Sequence, residues 1–298
     1  MTAMTSSAPA ATGQVEASRL AAEAAARAAR VEVVELRDVE ETAAVTGLFG
    51  AIWGPGSPSA MPAELLRALA HAGNYVAGAY DGDALVGAVV GFLGVRHDGV
   101  HLHSHVAGVL PRTQGRSVGF ALKLHQRAWA LARGIGQAEW TYDPLVRRNA
   151  YFNLGKLGAT AVDFQPDFYG GMGDAINAGD LTDRCVAMWD LAAPRVVAAV
   201  SGTVPEPDLG ALLAGGARVL LAEGEDGEPL ARPDRVAPVL LCQVPTDIVR
   251  LRATRPALAR AWRLAARETL GSALAGGWVA TMASRSGWCV LEQDEDWA

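Results

Sequence analysis

Three histidines at alternate positions, His101, His103 and His105, stand shortly ahead of a turn that reads Gln114-Gly-Arg-Ser-Val-Gly119. Two kinds of chemistry suit these residues. Imidazole, with an ordinary pKa near ~6.5, takes up a proton at neutral pH. On a regular strand, residues spaced by two share one face, so the row is expected to present all three rings together. A turn of small residues that opens a helix offers backbone N–H groups and close approach to a pyrophosphate, and Arg112 and Arg116 add positive charge to it. The bland readings stay open beside these. A glycine at a helix start also serves packing, and a histidine row can be polar surface or a metal site. The metal reading lacks carboxylates, since Asp98 is the one acid in the neighbourhood, and same-face histidines need strand curvature to converge.

The elements that would position these residues can be read from pattern. A strand at Val31–Leu36 leads to a helix capped by Asp38 and running to Trp53, and Gly54 to Pro58 is a loop. A short helix follows over Pro62–Ala70. Strands Tyr75–Tyr80 and Leu85–Val95 flank an Asp81-Gly82 turn, a strong hairpin signal. The histidines fall on a strand His101–Leu110, the turn opens a helix Val118–Arg133, and a strand Ala138–Tyr142 comes next. A helix Arg148–Leu157 closed by Gly158, a strand Thr160–Phe164, a Gly-rich loop over 165–180 and a strand Cys185–Leu191 complete this part. Residues 194–238 read as loop-rich, with one strand at Arg218–Ala222. The chain then gives a strand Val239–Val244, a helix from Pro256, and strands Val279–Ala283 and Trp288–Glu292. The fold class expected is α/β with a mixed sheet (α+β in character), antiparallel at first and parallel-like at the crossover.

Composition narrows the function classes. The 298 residues carry 26 Lys plus Arg against 32 Asp plus Glu, a net charge of −6. With no basic run, a nucleic-acid or membrane-surface binder is not expected. No apolar run approaches the ~18 residues of a membrane span. Cys185, Cys242 and Cys289 are odd in number and far apart, so they read as structural thiols. The start of the chain lacks a charged region followed by an apolar one, so a cytoplasmic location is expected. Neither the Walker pattern nor Gly-x-Gly-x-x-Gly after a first strand is present. Residues 1–30 are expected to be a disordered or loosely helical tail, 31–192 a catalytic core, and 193–298 a C-terminal α/β extension without an assigned role.

The turn resembles the signature of the GNAT superfamily of acyl-CoA-dependent N-acyltransferases, Gln/Arg-x-x-Gly-x-Gly/Ala between a fourth strand and the helix after it. Gln114 and Gly119 match, and Ser117 stands where the family has its middle glycine. An Asn ahead of a helix ending in Leu-Gly-Phe, the second family feature, appears as Asn149-Ala-Tyr-Phe-Asn-Leu-Gly-Lys-Leu-Gly-Ala159. The stretches Trp140–Leu154 and Tyr169–Arg184 are similar to a branch of predicted GNAT acyltransferases, some of which resemble amino-acid N-succinyltransferases.

The resemblance implies a GNAT-like fold over the core and transfer from acetyl-CoA or succinyl-CoA, without a metal, to the primary amine of a small molecule. A homodimer is left open. By position, Val109 would serve the pantetheine. Gln114, Gly115, Arg116, Ser117, Val118 and Gly119 would hold the pyrophosphate, with Asn149 also on the cofactor. The relay histidines of one family member align on His103 and His105. The family's usual tyrosine, four residues before its second-motif glycine, is here Leu154. Tyr151, one helical turn earlier, is expected to share that face and to protonate the leaving thiolate, unless solvent does so or Tyr151 is a packed aromatic. Asp143, at a strand end, is a candidate for the substrate ammonium. Arg147 and Arg148 are candidates for a carboxylate or a CoA phosphate, and Tyr169 is a lower-ranked pocket residue. The alternative is an acyl-CoA-binding or interaction module without catalysis, which Ser117 and Leu154 favour.

Overall fold

The computed structural model describes residues 8–54, 57, 61–97, 99–170, 180–232 and 235–293. Asp98, most of the Gly54–Pro58 loop and positions 171–179 of the Gly-rich loop therefore lie outside the described residues. The chain forms two compact units. One runs to Ala138 and takes in Asp190–Ala192; the other comprises Glu139–Trp189 and the chain from Ala193 onward.

The first unit contains α1 (Ala8–Ala29), β1 (Glu32–Glu35), α2 (Val39–Trp53), α3 (Ala63–His71), β2 (Tyr75–Asp81), β3 (Ala84–Arg96), β4 (Gly99–Val109) and α4 (Val118–Ala132). Its strands lie in the order β1-β2-β3-β4, antiparallel at each pairing. Asp38 begins α2 with a capping box: its Oδ1 accepts from Glu41 N at 2.8 Å, and Glu41 Oε2 accepts from Asp38 N at 3.0 Å. Helices α2 and α3 bury Val45, Leu48, Phe49 and Leu66 against Val76, Ala88 and Val90 on one sheet face. The alternation of β3 turns Gly87 to the other face, where an added Cβ would come within 3.2 Å of Val118 and Leu122 on α4.

The stretch expected to be an N-terminal tail contains helix α1. Residues Ala8–Ala29 form this helix, which packs along α4 and buries Ser18, Ala22 and Ala29. Its small side chains allow close approach. Its anchors are distant in sequence: Gln14 Nε2 donates to Ala192 O at 2.9 Å, and Arg116 Nη2 donates to Ala29 O and Arg30 O at 3.1 and 2.8 Å. Local periodicity carries no trace of either anchor.

The second unit opens with β5 (Gln137–Tyr142) and a four-residue α5 (Arg147–Ala150) that widens into a π-helical turn, Tyr151–Lys156. Then come β6 (Thr160–Gln165), β7 (Arg184–Asp190), α6 (Pro194–Val200), α7 (Leu209–Ala214), β8 (Arg218–Glu223), β9 (Pro229–Ala231) and β10 (Val239–Gln243). The unit closes with α8 (Ile248–Thr254), α9 (Pro256–Ala266), a second π turn (Arg267–Gly271), α10 (Ser272–Leu274), β11 (Trp278–Ala283) and β12 (Trp288–Gln293). Strand order is β5-β7-β6-β11-β12-β10-β8-β9. The C-terminal strands continue the sheet, since Ala280 of β11 pairs with Ala161 of β6, and the parallel β8–β10 pair makes the sheet mixed. The α/β class with a mixed sheet and added C-terminal strands is thus what the chain adopts.

Region 194–238 holds more than the single strand expected. Helices α6 and α7 and strand β9 lie within it, and α8 precedes the helix expected from Pro256. These helices are six or seven residues long, too short to show amphipathic periodicity. Side-chain caps fix two of them: Asp208 Oδ1 accepts from Ala211 N at 3.0 Å, and Asp247 Oδ1 from Arg250 N at 2.9 Å. The three cysteines are buried and free, and burial pushes each thiol up. Among the described residues, no helix is long and apolar enough to cross a membrane.

Candidate functional site

Strand β4 is not regular where the histidines lie. Its pairing with β3 runs Val90↔Val106 and then Gly91↔Ser104, so His105 is the extra residue of a β-bulge. The expectation of three histidines on one face fails for this reason. His101 and His103 share a face, but the His101 ring is buried against Gly94, where an added Cβ would meet it at 2.5 Å. His103 and His105 do stay together. His103 stacks on Phe92 with centroids 4.8 Å apart, and the His105 ring lies 5.6 Å from Phe92 and 6.0 Å from His103. Burial first, then the neighbouring His105 and His101, hold His103 at about 4, and burial lowers His105 as well. Both imidazoles are therefore neutral at pH 7, the state that can accept a proton.

On its other face, β4 meets a buried lysine. Lys123 Nζ donates to Ser104 Oγ at 3.0 Å and to Gln126 Oε1 at 2.8 Å, and burial holds the amine well below its ordinary range. The unfolded chain holds this proton more tightly than the folded chain, so stability rises with pH until the ordinary lysine value of ~10.4 is passed. We expect the wild-type chain to gain stability from this group between pH 7.5 and 9.5, and Lys123→Met to lose that gain. Urea titrations at both pH values check this; equal gains in the two proteins would show that Lys123 folds charged.

Beyond β4, a single 3₁₀ turn, Pro111–Thr113, leads into the Gly/Arg turn. Gly115 has φ +87° and Ser117 φ +65°, both left-handed. Ser117 caps α4 through its backbone, its carbonyl accepting from Phe120 N and Ala121 N at 3.0 and 3.1 Å. The amides of Val118 and Gly119 thus precede the helical ladder, at the positive end of a 15-residue helix. Ser117 departs from the family's glycine in type but takes a backbone conformation that glycine favours. A Cβ on Gly119 would meet only Val109 Cγ2, at an ordinary 3.8 Å. Among the described residues, nothing requires a glycine there.

One expected phosphate ligand is committed elsewhere. The Arg116 guanidinium binds the Asp81 carboxylate at 2.5 Å and the carbonyls that end α1. Its assignment as a pyrophosphate-binding side chain is corrected accordingly, because those contacts close a helix end instead. Arg112, Gln114, Gly115 and Ser117 remain exposed on the turn.

In the second unit, Asp143 is likewise not what its position suggested. It is buried and gripped by Arg263, whose Nη1 and Nη2 donate to its two oxygens at 2.9 and 3.0 Å, and by Arg252 Nη2 at 2.5 Å. Asp180 completes the cluster, accepting from Arg252 Nε and Arg263 Nη2 at 3.0 Å. Burial alone would raise the Asp143 pKa, but the two guanidiniums outweigh it and hold the carboxyl at about 2. A carboxylate satisfied in this way has no room for a substrate ammonium, so that assignment is withdrawn. Tyr169 Oη lies 3.1 Å from Thr141 Oγ1, and the Arg184 guanidinium stands 5.2 Å from its ring.

Tyr151, Arg147 and Arg148 are brought together, lining one cleft of about 740 Å³ with Thr246, Asp247, Arg250 and Arg285. Tyr151 does not share a face with Leu154, as an α-helical turn would require. The π turn separates them: Leu154 is buried in the core, whereas the Tyr151 ring packs over Gly155 and its Oη accepts from Arg285 Nε at 3.0 Å. Asn149 is half-buried on α5, its N–H donating to Val146 O at 2.8 Å. Sequence reasoning missed Arg250 and Arg285. They come from α8 and from the turn between β11 and β12, far along the chain from Tyr151, and no local pattern marks them.

No family model matches the chain, and no curated protein matches it in sequence. Solved structures do show likeness. An acetyltransferase of the GNAT family from Streptococcus pneumoniae is 13% identical, with a TM-score of 0.42 over 53% of this chain and 97% of that one. Ribosomal-protein-S5-alanine acetyltransferase from Vibrio fischeri gives 14% and 0.43 over 55% and 94%. A Salmonella typhimurium acetyltransferase solved with acetyl-CoA gives 17% and 0.42 over 55% and 98%. Likeness at this level does not assign a family, and the functional reading rests on the residues themselves.

Proposed function

We propose that the chain is an acyl-CoA-dependent N-acyltransferase of the GNAT type, moving an acetyl or succinyl group to the primary amine of a small molecule, amino acids included. The observation that carries this reading is the junction of β4 and α4. Two left-handed residues lead into leading amides at a helix N-terminus, beside a glycine whose missing side chain no protein contact explains. A pyrophosphate needs that geometry and that clearance. In this reading the amides of Gly115, Ser117, Val118 and Gly119 hold the pyrophosphate, those of Gln114 and Arg116 being taken by Pro111 O and Thr113 O within the turn, and Val109 serves the pantetheine. Residues 31–192 form the acyltransferase core and 193–298 its extension.

The reaction joins the amine nitrogen to the thioester carbonyl carbon and breaks the carbon–sulfur bond. The proton lost by the amine goes to neutral His103 or His105, and the departing thiolate takes one from water. A second reading keeps acyl-CoA binding without catalysis. The burial of Leu154 at the family's tyrosine position favours it, as does the low basicity of His103.

Gly119→Ala tests the site directly. Alanine is preferred to glycine in a helix by up to about 1 kcal/mol, so the variant should melt at the same temperature or higher. Its affinity for CoA, measured by calorimetry, should fall about tenfold or more. Undiminished CoA binding would move the pyrophosphate off this turn. Thiol release with acetyl-CoA and succinyl-CoA against a panel of amines then separates the readings: CoA binding without turnover of any pair leaves the binding module.

A further inference from the structure

The cleft beside Tyr151 is walled by arginines from three separate stretches of chain. Arg147 and Arg148 begin α5, Arg250 lies on α8, and Arg285 sits on the turn between β11 and β12. Arg147 Nη2 donates to Val244 O and Thr246 Oγ1 at 3.3 and 3.1 Å, while its Nε is buried with no hydrogen-bond partner among the described residues. Arg285 donates to Tyr151 Oη and pairs with Glu206 at 3.1 Å. Asp247 is the one acid in the lining, and its Oδ1 caps α8. Arg148 and Arg250 are exposed and have no carboxylate partner among the described residues. Four guanidiniums against Asp247, Glu206 and Glu223, whose Oε2 accepts from Thr246 Oγ1 at 3.2 Å, leave this cleft positive, on a chain whose net charge is −6. Its floor is aliphatic: Val146, Ile248, Val249 and Ala253.

We infer that this cleft binds a small organic carboxylate, with Arg148, Arg250 and Arg285 meeting its charge and the aliphatic floor taking its carbon chain. A volume of about 740 Å³ suits a small molecule and far exceeds an inorganic ion. The aliphatic floor would be wasted on an ion without hydrocarbon. The planar guanidinium fork matches the planar carboxylate. The role of the ligand, though not the binding itself, rests on the acyltransferase reading. In that reading the carboxylate belongs either to the acyl chain or to the amine acceptor.

Calorimetry of the full chain, without CoA, against succinate, glutarate, acetate and inorganic phosphate tests the site. Saturable, salt-sensitive binding of succinate or glutarate is expected, weakened about tenfold or more in Arg148→Ala/Arg250→Ala with an unchanged melting temperature. No binding of either dicarboxylate, unchanged binding in the double variant, or tighter binding of phosphate than of succinate would each overturn the inference. Thiol-release assays assign the source. If the double variant loses a preference for succinyl-CoA over acetyl-CoA, the carboxylate is on the acyl chain; if it raises KM for amino acids but not for simple amines, the carboxylate is on the acceptor. Binding of succinate by a chain that releases no thiol keeps this site and rejects the acyltransferase reading. Thiol release by a chain that binds no dicarboxylate does the reverse.

Discussion

Asp143→Ala should destabilise the chain by about 3–5 kcal/mol, the largest stability effect expected of any single change described above. The carboxylate it removes neutralises Arg252 and Arg263, whose side chains are 2% and 0% exposed. Asp180 would then be left facing two buried guanidiniums that Asp143 now shares with it. Removing one member of a buried ion cluster leaves uncompensated charge in a low-dielectric interior, which costs far more than losing the exposed Asp81–Arg116 pair. Urea denaturation of Asp143→Ala beside Asp81→Ala makes the comparison, and similar losses in the two would refute the buried-cluster account. The same group carries a pH signature. Its pKa of about 2 lies below the ordinary carboxylate value, so its contribution is fully present above pH ~4 and is lost as pH falls toward 2. Asp143→Asn should flatten that acid limb.

His103→Ala/His105→Ala should slow acyl transfer by about 10²- to 10⁴-fold while leaving CoA affinity within about twofold. The split follows from position. The two rings cluster with Phe92 on β4, whereas the turn proposed to hold the pyrophosphate lies beyond the end of that strand. The pH profile distinguishes a relay from an unperturbed histidine. Because His103 is held at about 4, it stays neutral down to about pH 5, and the rate should remain level there instead of falling through ~6.5. An unchanged rate in the double variant would remove the relay. A fall in CoA affinity matching the fall in rate would make the pair part of the binding surface.

Much of the fold can be read locally. The Asp38 capping box, the Asp81-Gly82 turn and the strands on either side of it are specified by residues a few positions apart, and the structure places them within one or two residues of expectation. The Gly/Arg turn is legible for the same reason: six consecutive residues contain both its conformation and its leading amides. Assignments failed where a side chain's partner is remote. Arg116 looked available for phosphate because the α1 carbonyls it binds lie 86 and 87 residues earlier. Asp143 looked open to an ammonium because Arg252 and Arg263 follow it by 109 and 120 residues.

The histidine row shows where that boundary falls. Sequence alone determined that imidazoles alternate along a strand and that this strand enters a helix-opening turn, since both are properties of neighbouring residues. Only the tertiary structure decided that His105 occupies a bulge, that His101 is sealed against Gly94, and that His103 and His105 share Phe92. A bulge exists only relative to the register of the partner strand, and a pKa depends on what is packed around the ring. The arginine cleft is of the same kind. Its guanidiniums are brought together by the sheet that joins the C-terminal strands to β6, and no stretch of sequence contains more than two of them.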